Sequence, residues 1–224
     1  DSLMPLLGAH GDGVTVLSKG TLLPPFDLHC PLMSLPLAFG TTLDSVPAEM
    51  PYLAAPAERV ARMAARLPQT EGLRVGLVWS GKPSHKNDHN RSIALERLKS
   101  LIAVPGTAFV SLQREYRDAD LAALAALPIL RLDDAIGDFA DTAAAIAALD
   151  LVIAVDTAVA HLAGSLGKPL WLLLSHIQDW RWLFLREDSP WYPTARLFRQ
   201  GPDGAWDPVI ARVTEALAAL AKAR

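Results

Sequence analysis

The stretch VIAVDTAVAHLAGSLGKP (residues 152–169) decides how the chain folds. An apolar run ends on Asp156 and Thr157, and small and apolar residues follow until Gly167 and Pro169. A run without polar alternation predicts a strand buried on both faces. The Ala-rich segment after it predicts a helix closed by Gly167. A buried strand that turns directly into a buried helix is half of a βαβ unit, and the rest of the chain repeats that unit on both sides.

Upstream, LRVGLVWSG (73–81), TAFVSLQ (107–113) and PILRLD (128–133) read as strands, and PLWLLLS (169–175) and RLF (196–198) follow downstream. Helical spacing falls between them at 93–104, 118–127 and 138–150, with Asp138 or its neighbour as N-cap. An amphipathic helix is expected over 206–224. Alternation of this kind predicts an α/β fold: a parallel sheet with right-handed crossovers.

Residues 1–56 are expected to differ: a helix end, a turn, a strand at Val14–Leu17 and a second short strand in FDLHC (26–30). Two strands cannot build a core of their own. This part therefore reads as the remnant of another α/β domain, joined to residues 57–224 through a linker (46–58) and the helix at 57–67.

Composition narrows the function classes. Formal net charge is −3, with 20% charged and 51% hydrophobic residues, and the basic residues gather only in GKPSHKNDHNR (81–91). That balance argues against a nucleic-acid partner. No apolar run reaches membrane-spanning length, and the single cysteine, Cys30, suits a reducing, cytoplasmic setting. The chain begins at Asp1 without a signal pattern and reads as a piece of something longer. There is no GxxxxGK[ST], GxGxxG or GxSxG element. His85 and His89 stand in a loop with Pro83, an arrangement unsuited to zinc, and no metal is expected.

In an open parallel sheet, ligands bind beyond the carboxyl ends of the strands. The polar residues there are Ser80, Gly81 and Lys82, then Gln113 and Arg114, Asp133 and Asp134, Asp156 and Thr157, and Ser175 and His176. Asp156 is expected to cap its helix, whose N-terminus attracts anions. Thr157 and His161 share a helical face, so His161 is either a satisfied core histidine or a ligand contact. The loop 81–93 is either a solvated connection or a phosphate clamp using Lys82, Lys86 and Arg91. The aromatic segment DWRWLFLREDSPWYP (179–193) suits interface packing or a substrate platform.

Taken together, FDLHCPLMSLPLAFGT, RVGLVWSGKPSHKNDHNRSI, FVSLQ, the segment from Asp138 to Leu174 and DWRWLFLREDSPWYPTARLFRQ resemble a known domain. It is the glycosyltransferase-like C-terminal domain of bacterial tetratricopeptide-repeat proteins, similar to heptosyltransferases and, more distantly, to O-linked N-acetylglucosamine transferases. The resemblance implies a GT-B architecture of two Rossmann-like domains, with residues 1–56 on the acceptor side, residues 57–224 binding the donor, and the last helix packing back on the N-terminal part. It implies transfer of a sugar from a nucleotide diphosphate donor to a hydroxyl acceptor on a protein or glycan, with no cofactor, and repeats in the parent chain.

Asp156, Thr157 and His161 match the family's D-[ST]-x-x-x-H-L element, with Ala158 where heptosyltransferases carry Gly. The resemblance also places Arg91 near the family's phosphate-contacting lysine, with Ser80 in the same loop and Gln113 and Asp138 near the ribose and base. Gly81 and Lys86 join the expected donor contacts as residues of the phosphate-clamp loop. The expected catalytic base precedes this chain, so the fragment is expected to be inactive alone. The alternatives are a non-catalytic interaction module, and a sugar-nucleotide epimerase or phosphorylase of similar architecture.

Overall fold

The computed structural model describes residues 2–8 and 13–224. Strands β1 (Leu73–Val78), β2 (Thr107–Ser111), β3 (Ile129–Arg131), β4 (Leu151–Val155), β5 (Leu170–Leu174) and β6 (Ala195–Arg199) form one sheet in the order β3-β2-β1-β4-β5-β6. Every pair is parallel. The helices are α1 (Met4–Leu7), α2 (Leu35–Ala38), α3 (Ala57–Ala64), α4 (Asp88–Arg91), α5 (Lys99–Ile102), α6 (Asp118–Ala126), α7 (Phe139–Ala147), α8 (Ala158–Ser165) and α9 (Asp207–Lys222). The α/β fold expected from residue 73 onward is the one observed.

Both sheet faces are covered, which explains the unalternating strands. Val152 and Ala154 of β4 pack under α7 and α8 on one side. Leu151, Ile153 and Val155 pack under α5, α6 and α9 on the other. All five residues of β4 are buried, and each larger side chain among them contributes about 1.5–3 kcal/mol relative to exposure. In α7, Ala140, Ala143, Ala144 and Ala145 are fully buried, so their small side chains let neighbouring helices come close. Charge then fixes α3 to α7. Arg59 bonds Asp138 at 2.7 Å and Asp141 at 2.9 Å, and Arg62 bonds Asp141 at 2.5 Å.

Three expectations change. The strands at 14–17 and 26–30 are not formed: these residues join no sheet, and Leu28, Leu32 and Leu37 are almost fully exposed. The turn expected before Val14 falls on residues 9–12, outside the described residues. The helix expected over 93–104 divides into a 3-10 turn at Leu95–Leu98 and α5, with the buried Asp120 carboxylate accepting from the Leu95 amide at 2.9 Å. Among the described residues helix α9 has its main contacts on α5 and β6, in the cluster that covers its face of the sheet, rather than on residues 1–56. Helix α1 does reach the sheet domain, through Leu6 against α7 and a Phe139 amide bond to the Ser2 carbonyl at 3.1 Å.

Candidate functional site

Strand order reverses between β1 and β4, and crevices form at such a reversal, beyond the carboxyl ends. A cavity of about 890 Å³ opens there. Its walls come from the loop after β1 (Ser80–Pro83), the segment after β2 (Leu112–Asp118), the start of α7 (Asp138, Phe139) and the first turn of α8 (Thr157–Val159), with Arg91 among them.

The loops are fastened to each other by side-chain hydrogen bonds. Gln113 spends its side-chain amide on the loop after β1: Oε1 accepts from the Ser80 amide at 3.1 Å, and Nε2 donates to Ser80 Oγ at 2.9 Å. Ser92 Oγ accepts from the Gly81 amide at 3.0 Å and donates to Asp88 at 2.9 Å. Asp88, only 5% exposed, bonds Arg117 and lies 3.5 Å from Arg91 Nε. Arg91 Nη1 donates to the Asp156 carbonyl at 2.8 Å, tying the loop after β1 to the turn after β4. The Nε atoms of Arg91 and Arg117 are buried and have no hydrogen-bond partner among the described residues. A Cβ on Gly81 would lie 2.3 Å from Arg91 Nη2, so only glycine leaves room for this guanidinium.

Electrostatics favour an anion. Lys82, Arg91, Arg114 and Arg117 line the cavity with Glu115, Asp118 and Asp138. Asp138 is already committed: it caps α7 by accepting the Asp141 amide at 2.9 Å, and it pairs with Arg59. Burial alone would raise its pKa, but Arg59 and that amide hold it below the ordinary carboxylate value. Lys82 and Arg114 have no ion-pair partner among the described residues. Thr157 is the N-cap of α8, extended at φ −146° and ψ 168°, with no side-chain cap bond. The first amides of α8 therefore face the cavity with the positive end of the helix dipole.

The structure brings Ser80, Gly81, Arg91, Gln113, Asp138 and Thr157 onto this one cavity. Three expected residues lie elsewhere. Lys86 is exposed and off the wall. Asp156 is not the cap: it precedes Thr157, and its carbonyl is taken by Arg91. His161 turns away into a separate recess of about 190 Å³, stacked on Trp182 at 5.0 Å, with Nδ1 3.0 Å from the Tyr192 hydroxyl. Burial lowers the His161 pKa from its ordinary 6.5, against the opposing charge of Asp156 4.0 Å from Nε2.

Asp133 and Asp134 are taken by Arg131 and Arg66, and Ser175 bonds the Ile177 carbonyl. Among the described residues, no three His, Cys, Asp or Glu side chains converge as metal ligands. No helix there is long and apolar enough to cross a membrane.

Two cavity residues escape sequence reasoning. Tyr116 stacks on Trp79 at 5.9 Å and under Arg131 at 4.8 Å, and its hydroxyl bonds Ser111 and Asp133 at 3.1 Å. Arg117 bonds Asp88, Ser92 and the Gly81 carbonyl. Their one sequence signal is their position a few residues beyond β2.

No family model matches the chain. It is 31% identical over 184 residues to Protein FlbA of Caulobacter vibrioides, an alignment covering 79% of this chain and 30% of FlbA. It is similar in structure to a glycosyl transferase family 9 protein from Veillonella parvula, with TM-score 0.52 and 14% identity over 75% of this chain and 53% of that one. E. coli ADP-heptose LPS heptosyltransferase II aligns with TM-score 0.48 and 18% identity over 81% of this chain and 57% of that one. The chain thus spans about a third of the curated relative and about half of these structures. With the Veillonella protein it shares a fold, a parallel α/β sheet domain of GT-B-like architecture.

Proposed function

We propose that residues 57–224 bind the nucleoside diphosphate of a sugar donor, as one half of a glycosyltransferase whose acceptor side includes residues 1–56. The parent would be a longer, cytoplasmic protein with helical repeats, acting on a hydroxyl of a protein or glycan. The observation that carries the reading is the cavity at the strand reversal, where Lys82 and Arg114, without ion-pair partners among the described residues, share a wall with the N-terminus of α8, which has no side-chain cap bond. A diphosphate there meets helix amides and exposed cations together. In the transfer step the acceptor oxygen bonds to the anomeric carbon as its proton passes to a base outside this chain, and the bond to the diphosphate oxygen breaks with the leaving pair on the diphosphate. Fixed donors at that position stabilise the developing charge without reorganising. Gln113 and Arg91 act as positioning residues, because their polar atoms hold the loops that form the wall.

The test is a thermal-shift and calorimetric series on the full chain with ADP, UDP and GDP and their sugar conjugates. At a hundredfold excess over Kd a bound nucleotide adds about 2.7 kcal/mol. Lys82→Ala and Arg114→Ala should each weaken binding and flatten its salt dependence. If none of these nucleotides shifts Tm, the donor-site reading fails and the chain is an interaction module.

A further inference from the structure

The recess holding His161 has a different chemistry from the diphosphate cavity. Three separate segments build it: Tyr52 from the linker, His161 from α8, and Trp180, Arg181, Trp191 and Tyr192 from the segment between β5 and β6. Its volume of about 190 Å³ falls below the roughly 300–1,000 Å³ of sites that enclose drug-sized ligands. A nucleotide does not fit, but a single six-membered ring does.

The walls are not those of an anion site. Arg181 Nη1 is paired with Asp179 at 2.8 Å, and its guanidinium lies over the Trp180 ring at 4.6 Å. Lys82 and Arg114, which have no ion-pair partner among the described residues, stand on the other cavity. Nor does the recess offer the parallel walls that grip a flat base: Trp180 and Trp191 meet at 87° and form a corner. A puckered ring suits a corner, because its axial C–H bonds can pack on an indole face while equatorial hydroxyls point to the rim. Polar atoms are available there. Among the described residues Trp180 Nε1 has no hydrogen-bond partner, and His161 Nε2 has only Asp156 at 4.0 Å, beyond bonding distance.

We propose that this recess is a second subsite, holding one neutral pyranose ring between Tyr52, His161, Trp180 and Trp191. The chemistry of the ring follows from the walls. Its source, the sugar of the donor or of the acceptor, rests on the glycosyl-transfer reading above.

Saturation-transfer NMR on the full chain tests this, using methyl glycosides of glucose, galactose, mannose and N-acetylglucosamine, then nucleotide sugars. The wild type should show saturable transfer to sugar protons. Trp180→Ala should weaken it about tenfold, the upper range of an aromatic contact, and Trp180→Phe should restore most of it. Tyr52→Ala, from an independent and half-exposed wall, should weaken it too and serves if Trp180→Ala fails to fold.

Transfer to the sugar of a nucleotide sugar marks a donor ring. Transfer to free glycosides with saturating nucleoside diphosphate marks an acceptor ring. Nucleotide binding without any sugar signal, or a sugar signal indifferent to both substitutions, overturns the subsite and leaves the donor cavity standing. Sugar binding sensitive to Trp180 without nucleotide binding upholds the subsite and overturns the donor cavity.

Discussion

Replacing Gly81 by alanine should loosen the crevice floor from within. The added Cβ would sit 2.3 Å from Arg91 Nη2, 2.6 Å from Cζ and 2.7 Å from Nε, so the guanidinium must leave its place. It is 14% exposed and donates to the Asp156 carbonyl at 2.8 Å. Displacement breaks that bond and leaves the carbonyl without its charged donor, a loss of about 1.5–3 kcal/mol. For a domain of this size that lowers Tm by roughly 3–12 °C.

The informative assay is a double-mutant cycle followed by urea unfolding and far-UV circular dichroism. Arg91→Ala removes the clashing group, so adding Gly81→Ala to it should cost nothing further, and the coupling should equal nearly the whole effect of Gly81→Ala. If the single substitution leaves stability unchanged, or if the two effects simply add, Gly81 is not reserved for Arg91 and the reasoning is wrong.

Gly164→Ala should act the same way against a stiffer neighbour: its Cβ would lie 2.4 Å from Tyr192 Cδ1 and 2.5 Å from Cγ. A ring root cannot swing aside, so thermal unfolding should show a loss of about 1–3 kcal/mol from overpacking. His161 gives a pH signature. Because its folded pKa is lowered by burial, the unfolded chain binds the proton first, so its contribution is whole above about 6.5 and declines as pH falls below that value. Urea midpoints measured through that window should fall for the wild type and fall less for His161→Phe; equal slopes would refute the burial of a neutral ring.

The parallel sheet was legible because β4 and its neighbours are apolar on both faces, a pattern that survives without tertiary information. Ser80, Gly81, Gln113 and Thr157 were legible for a related reason: a strand end in an open α/β sheet is already a position in space. Asp156 misled because an Asp-Thr pair offers two caps, and the choice is made by Arg91, 65 residues away in sequence. His161 misled because helical spacing gives a direction but not a destination; Trp182 and Tyr192, from a later segment, take its ring. The strands expected at 14–17 and 26–30 lacked what a strand requires, a neighbour to pair with. Arg117 carried no signal beyond its position after β2, since its role depends on the buried Asp88 across the loop.

Helix α8 borders both recesses, with Thr157 at its cap on one and His161 four residues later on the other. At about 1.5 Å of rise per residue the two positions are some 6 Å apart along one rigid axis. The helix is therefore a ruler. Substitutions at either end can change the lining of each recess, but the interval between the two lining positions is set by the hydrogen-bonded backbone. An inserted residue in that turn would lengthen the interval and rotate one mark by about 100° away from its recess.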